Sequence, residues 1–357
     1  MNIRIAPLPV EKMKDKNKDE SHLGFGKLFT DRMLLVEWKA GTGWCDARIE
    51  PYGPFMLDPA CMVFHYAQEI FEGLKAYKWA DGRVALFRPE MNARRFNQSA
   101  TRMCMPEIPE ELFLKGIEQL VALEKEWIPT AAGTSLYIRP TLIAVEPILG
   151  IKPSDHYYFY VILSPVGAYY AAGFNPVNIL VEDHYVRAVA GGTGEAKTGG
   201  NYASSLMAAL EAKKKGFDQV LWLDGLERRY IEEVGAMNMF FAYGKKIVTA
   251  PLNGSILPGV TRDSVLKLAP TLGYQVEERQ IDVNDLFADI RAGKITEAFG
   301  SGTAAVITPV GKLCYKDECL QLSGGKVGEI TQKLYDTLTG IQTGKISDTF
   351  GWVRFIE

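Results

Sequence analysis

Along residues 110–127, EELFLKGIEQLVALEKEW, the apolar side chains Phe113, Ile117, Leu120 and Val121 recur at the three-and-four spacing of one helical face. Similar patterns predict helices over 260–273 (VTRDSVLKLAPTLG), starting after Leu257-Pro258-Gly259, and over 283–293 (VNDLFADIRAG). Residues 202–215, YASSLMAALEAKKK, read as a helix stopped by Gly216, with lysines in the last turn where they complement the helix dipole. RVALFRP, SLYIRPTLIAV, HYYFYVILSPV and NILVEDHYVRAV read as strands. QVLWLD, then Asp224-Gly225, then a run through NMFFAY predicts a hairpin or meander. ITEAFGSGTAAVITPV reads as strand, glycine-rich turn and strand. The mixture is α+β and lacks the regular alternation of a doubly wound sheet.

At 357 residues the chain exceeds one ordinary core, so two domains are expected. GAYYAAGFNPVN is taken as their connection, giving domains over 1–170 and 184–357 with a linker over 171–183. The first 20 residues form a charged arm, ordered only if something holds it, and lack the apolar core of an export signal. No stretch approaches the ~20 apolar residues needed to span a bilayer. A net charge of −3 without a concentrated basic face argues against nucleic acid as a partner. The five cysteines are scattered and never form CxxC, which suits a reducing, cytoplasmic setting better than a disulfide framework. The four histidines show no metal-ligand spacing.

Against this ordinary background stands GGTGEAKTGGNY, residues 191–202, where Lys197 is surrounded by small residues. A phosphate-binding P-loop, and with it a nucleotide-binding protein, fails because Ala196 stands where G-x-x-x-x-G-K-[ST] requires its second glycine, and Gly199-Gly200 disfavours the helix that must follow. Gly192-x-Gly194 lacks the third glycine of a dinucleotide fingerprint. The remaining chemical reading is a lysine held for carbonyl chemistry. A Schiff base with pyridoxal 5'-phosphate (PLP) requires a carboxylate for the pyridinium nitrogen and donors for the phosphate.

Both companions have candidates, and the stretch from Glu232 to Arg262 supplies the first. EVGAMNMF, IVT and LPGVTR, running from Glu233 to Arg262, together with AKTGGNY, resemble the signature of class IV aminotransferases, PLP enzymes of fold type IV. FEGLKAY, LFRPEMNARRF, LYIRP, ILSPVGAYY, QVLWLDG and FGSGTAAVITPV extend the resemblance nearly end to end. Within the family they point to branched-chain amino acid aminotransferases rather than D-amino acid aminotransferases or aminodeoxychorismate lyases. The resemblance implies a smaller N-terminal α/β domain and a larger C-terminal domain with a pseudo-barrel core. It also implies a homodimer or higher homo-oligomer, and reversible ping-pong transamination of leucine, isoleucine or valine with 2-oxoglutarate.

Carried over residue by residue, the resemblance makes Lys197 the Schiff-base lysine, Glu233 the partner of the ring nitrogen and Tyr202 the tyrosine near the 3′ oxygen. The phosphate falls to Arg95, Val260, Thr261 and Thr303, with Leu257 and Arg187 as further cofactor contacts. Val260 and Thr261 open a helix, whose unpaired N–H groups favour a dianion. For substrate, Tyr137 and Arg139 are two apart on a strand and so share a face. They suit a pocket wall and a cation for the distal carboxylate of glutamate or 2-oxoglutarate. Phe71, Tyr66 and Ala304 complete the expected pocket, with Tyr66 and Ile151 reaching the neighbouring subunit's site. Two features depart from the family pattern. Ala305 and Thr308 replace the redox CxxC of mammalian relatives, and Ala236 replaces a common hydroxyl residue near the substrate carboxylate.

Overall fold

The computed structural model describes residues 1–16, 19–167 and 174–356, so residues 171–173 of the expected linker lie outside the described residues. The chain divides into two compact units. The first comprises Met1–Ala171, Ala196–Gly199 and Gly340–Glu357, and the second Ala172–Glu195 and Gly200–Thr339. The expected division at 170/184 therefore needs correction. The lysine segment and the C-terminus belong with the first unit, which is the longer of the two. The reason is pairing at long range: strand Val353–Ile356 hydrogen-bonds antiparallel to Val84–Phe87.

The first unit is built on a sheet with strand order Arg4–Ile5, Gly43–Pro51, Arg32–Lys39, His156–Val166, Ser135–Ala144, Leu74–Lys78, Val84–Phe87 and Val353–Ile356. The short strand Glu69–Phe71 pairs beside Ser135–Ala144. Alternation along Ser135–Ala144 decides what each face does. Leu136, Ile138 and Leu142 enter a core formed with Ala93, Phe96, Phe113, Ile117, Leu120 and Val121 of helices Pro89–Arg102 and Glu110–Leu123. Phe96, Phe113 and Phe159 meet there with ring centres 5.4 to 5.8 Å apart. Tyr137, Arg139 and Thr141 take the opposite face, together with Lys75, which pairs with Tyr137. The charged arm is held through Lys14, whose ammonium donates to Phe29 O and Thr30 O while its N–H donates to Asp31.

In the second unit, strands Gln219–Leu223, Val177–Glu182, Val306–Tyr315, Glu297–Gly302, Met237–Tyr243 and Ile231–Val234 bond in succession, and the last pairs back with Gln219–Leu223. This six-strand ring is the barrel-like core, with Phe240 and Phe299 stacked at 5.0 Å and both fully buried. The expected meander through Asp224-Gly225 is present.

Two expectations differ locally. The helix predicted over 202–215 is two helices, Gly199–Ala203 and Leu206–Lys214. Ser204 and Ser205 donate their hydroxyls to Asn201 O and Tyr202 O, competing with the helical ladder. The cysteines are not all free: Cys314 and Cys319 form a disulfide across the hairpin of Val306–Tyr315 and Glu318–Gln321. A two-residue turn makes them direct cross-strand partners, with Cα atoms 4.1 Å apart. None of the described helices is long and apolar enough to cross a membrane.

Candidate active site

Each unit carries one half of the expected chemistry. In the first, the segment bearing Lys197 is stitched to strand Glu69–Phe71. The Phe71 N–H donates to Lys197 O at 3.0 Å, Thr198 Oγ1 to Glu69 O at 2.7 Å, and the Gly199 N–H to Glu69 Oε1 at 2.7 Å. On the helix side, the Lys197 N–H donates to Ser99 Oγ at 2.9 Å. A Cβ on Gly199 would lie 2.0 Å from Glu69 Oε1, so a side chain at that position would displace the carboxylate. In the second unit, a Cβ on Gly194 would sit 2.2 Å from Ser255 O. Close backbone approach thus accounts for these two glycines around the lysine.

Lys197 Nζ lies 5.0 Å from the centre of the Phe71 ring, over which the Arg139 guanidinium also stands at 4.7 Å. Arg139 Nη2 donates to the Tyr137 hydroxyl at 3.0 Å. The structure thereby brings together Lys197, Phe71, Tyr137 and Arg139. Burial raises the carboxyl of Glu69 above the usual glutamate range, against the Gly199 N–H and Arg139, which act to lower it. Tyr66 closes the short helix Met62–Tyr66 and donates its hydroxyl to Leu149 O. That bond anchors the loop on which Ile151 is 87% exposed.

In the second unit, Glu233 lies in strand Ile231–Val234 with its side chain almost fully buried. Its Oε1 accepts from the Leu257 N–H at 2.9 Å and from Asn238 Nδ2 at 3.4 Å, and its Oε2 pairs with Arg187 Nη2 at 3.1 Å. Arg187 also donates to Ser255 O at 2.6 Å. Both oxygens of Glu233 are therefore fixed, by a backbone amide and by a cation. The neighbouring Glu232 has a different set of partners, Ser255 Oγ and Asn253 Nδ2. Val260 and Thr261 open the helix Val260–Thr271, whose N-cap, Gly259, offers no side-chain cap. Thr303 and Ala304 lie in the turn between Glu297–Gly302 and Val306–Tyr315. Tyr202 is half-buried in the Gly199–Ala203 helix.

A family model described as Amino-transferase class IV matches residues 69–313. "Branched-chain-amino-acid aminotransferase 2" of Bacillus subtilis (strain 168) is 56% identical over 339 residues, 95% of this chain and 93% of the relative. The chain belongs to the class IV aminotransferase family. Among solved structures, the Escherichia coli branched-chain amino acid aminotransferase superposes with a TM-score of 0.74 at 27% identity, covering 90% of this chain and 99% of the other. The branched-chain amino acid aminotransferase of T.th., complexed with N-(5'-phosphopyridoxyl)-L-glutamate, gives 0.71 at 26% identity, covering 90% and 98%.

Class IV aminotransferases use PLP, and the donor set fits that group. An uncapped helix start suits a phosphate dianion. Among the described residues, the buried Ser301 hydroxyl, two residues before Thr303, has no partner, nor does Arg187 Nε. Glu233 provides an immobilised carboxylate. Sequence reasoning missed other members of these clusters. Phe25 stands edge-on to Tyr137 with ring centres 4.9 Å apart. Ser99 and Glu69 hold the lysine segment, and Glu72 grips Arg95. Glu72 and Lys75 lie within the quoted FEGLKAY motif, whereas Phe25 carried no local signal at all.

Proposed function

We propose that this chain is a branched-chain amino acid aminotransferase, exchanging an amino group between leucine, isoleucine or valine and 2-oxoglutarate. The observation that carries the reading is the grouping of Lys197 with Phe71, Tyr137 and Arg139. An amino-group shuttle must accept an apolar and an acidic side chain in turn. Aromatic rings serve the first and the Arg139 guanidinium the second.

Bound PLP supplies an aldehyde that takes up the amino group and a ring that accepts the electrons left when the substrate loses its α-proton. Lys197 Nζ would hold the cofactor and, when free of it, would take up the proton from the substrate Cα. Glu233, pinned by the Leu257 N–H and Arg187, is oriented to hold the proton of the ring nitrogen, and Tyr202 binds near the 3′ oxygen. In the second unit Val260, Thr261 and Thr303 are assigned to the phosphate, and in the first unit Arg95 is the phosphate arginine. The backbone at Ala304 serves the substrate carboxylate, a role that falls to amides because Ala236 has no hydroxyl. The exposed apolar side chains of Phe64, Leu149 and Ile151 support a homodimer in which Tyr66 and Ile151 complete the partner's pocket. The cytoplasm is the expected compartment.

The test is amino transfer to 2-oxoglutarate from the two stereoisomers of leucine, with the absorption spectrum recorded alongside. L-Leucine is turned over and D-leucine is not, and Lys197→Ala abolishes both turnover and the visible band. Preference for the D-isomer, or a visible band that survives in the variant, contradicts the reading. Arg139→Met raises KM for 2-oxoglutarate about tenfold or more, equivalent to ~1.4 kcal/mol, with little change in KM for leucine.

A further inference from the structure

Glu72 has no role in the reaction derived above, yet its side chain is completely buried. Its Oε1 accepts from Arg95 Nε at 2.6 Å, and its Oε2 accepts from Arg95 Nη2 at 2.9 Å, Asn92 Nδ2 at 2.7 Å and the Gly73 N–H at 3.0 Å. Four donors thus converge on one carboxylate placed directly after Phe71 in the chain. Burial acts to raise its carboxyl, but Arg95, Lys197 and Asn92 outweigh burial and hold it below the usual glutamate range. The group is a carboxylate at neutral pH.

We propose that Glu72 is a positioning residue. Its side-on grip sets the plane of the Arg95 guanidinium, and so determines how tightly this chain holds the phosphate of its cofactor. The inference rests on the reading of Lys197 and Arg95 as cofactor residues.

Three physical points support it. First, the guanidinium is planar, so fixing the Nε–Nη2 edge also fixes the direction in which Nη1 points. An arginine on a flexible stem otherwise loses much of its binding energy to ordering. Second, a buried ion pair is weak grounds for stability, because an apolar pair of similar volume often serves the fold as well. The cost of burying Glu72 calls for another return. Third, Glu72 directly follows Phe71, whose N–H donates to Lys197 O and whose ring centre lies 5.0 Å from Lys197 Nζ, so the pair adjoins the lysine segment rather than a remote part of the sheet.

The deciding experiment measures the affinity of the apoprotein for PLP and for pyridoxal, which lacks the phosphate, by absorbance or fluorescence titration. The ratio of the two affinities reports the phosphate contribution alone. Glu72→Gln, which keeps the shape and removes the charge, lowers this ratio about tenfold in the wild-type background. It leaves the ratio unchanged in an Arg95→Gln background, because the two residues act as one unit. Glu72→Asp, with the charge retained on a shorter stem, restores part of the ratio.

Equal loss of affinity for both ligands, or the same loss with and without Arg95, overturns the proposal. If Glu72→Gln does not fold, Glu72→Asp carries the same comparison. Failure of both to fold assigns Glu72 to the scaffold and also overturns it. A wild-type protein that takes up neither ligand overturns the reading of the site itself, which is a different outcome from an unchanged ratio in the variant.

Discussion

Lys75 lies opposite Tyr137 across two strands, and burial pushes its ammonium down to about 8 from 10.5. The folded chain thus releases this proton at lower pH than the unfolded chain does. The cost of burying the charge is fully present below about pH 8 and disappears as pH rises toward the unfolded value. Lys75→Met is therefore expected to change apoprotein stability more favourably at pH 7 than at pH 10. Thermal melts of variant and wild type at the two pH values check this, and a change that is less favourable at pH 7 contradicts it. Lys197 and Glu233 stood out in the sequence because each sits in a motif with few alternative explanations. Glu72 and Lys75 were in plain view within FEGLKAY, but their meaning depends on partners that only tertiary docking provides. The Arg95 that Glu72 grips lies on the helix Pro89–Arg102, 23 residues away.

The lysine segment is held by short-range contacts that a single methyl group disturbs. Gly199→Ala forces Glu69 aside, removing the acceptor for the Gly199 N–H and loosening the run from Lys197 to Gly199. PLP retention on dialysis is expected to fall several-fold while the apoprotein melts within a few degrees of wild type. Unchanged retention contradicts the assignment of this bond to holding the lysine. Helix and strand types along the chain follow from periodicity because one face of each element meets a core. Phe113, Ile117, Leu120 and Val121 are all fully buried, as their spacing predicts. Breaks inside elements were less legible. The serine pair that splits 202–215 acts through hydroxyl bonds, to which a hydrophobic pattern is blind. The Cys314–Cys319 bond was missed for a related reason: a spacing of five becomes a direct pairing only when a two-residue turn folds the strands together.

The molecule as a whole divides differently from its sequence. The α+β class was legible from element order, and the long motif match pointed to the family. The path of the chain between units was not legible, because nothing local in 340–357 signals that Val353–Ile356 will pair with Val84–Phe87. Trp352 also packs edge-on against Phe87 at 5.7 Å, and the Arg88 guanidinium stands 4.9 Å from the Trp352 ring centre. Removing residues 350–357 is therefore expected to destabilise the first unit by several kcal/mol, seen as an earlier unfolding transition in urea. An unshifted transition contradicts that role.

The central claim is that Lys197 is the nitrogen to which the cofactor attaches. Borohydride treatment of the PLP-loaded protein, followed by peptide mass mapping, tests it most directly. The account predicts a single pyridoxyl-phosphate mass increment on the peptide containing Lys197. An increment on a different lysine, Lys75 included, or no increment on any peptide, contradicts it.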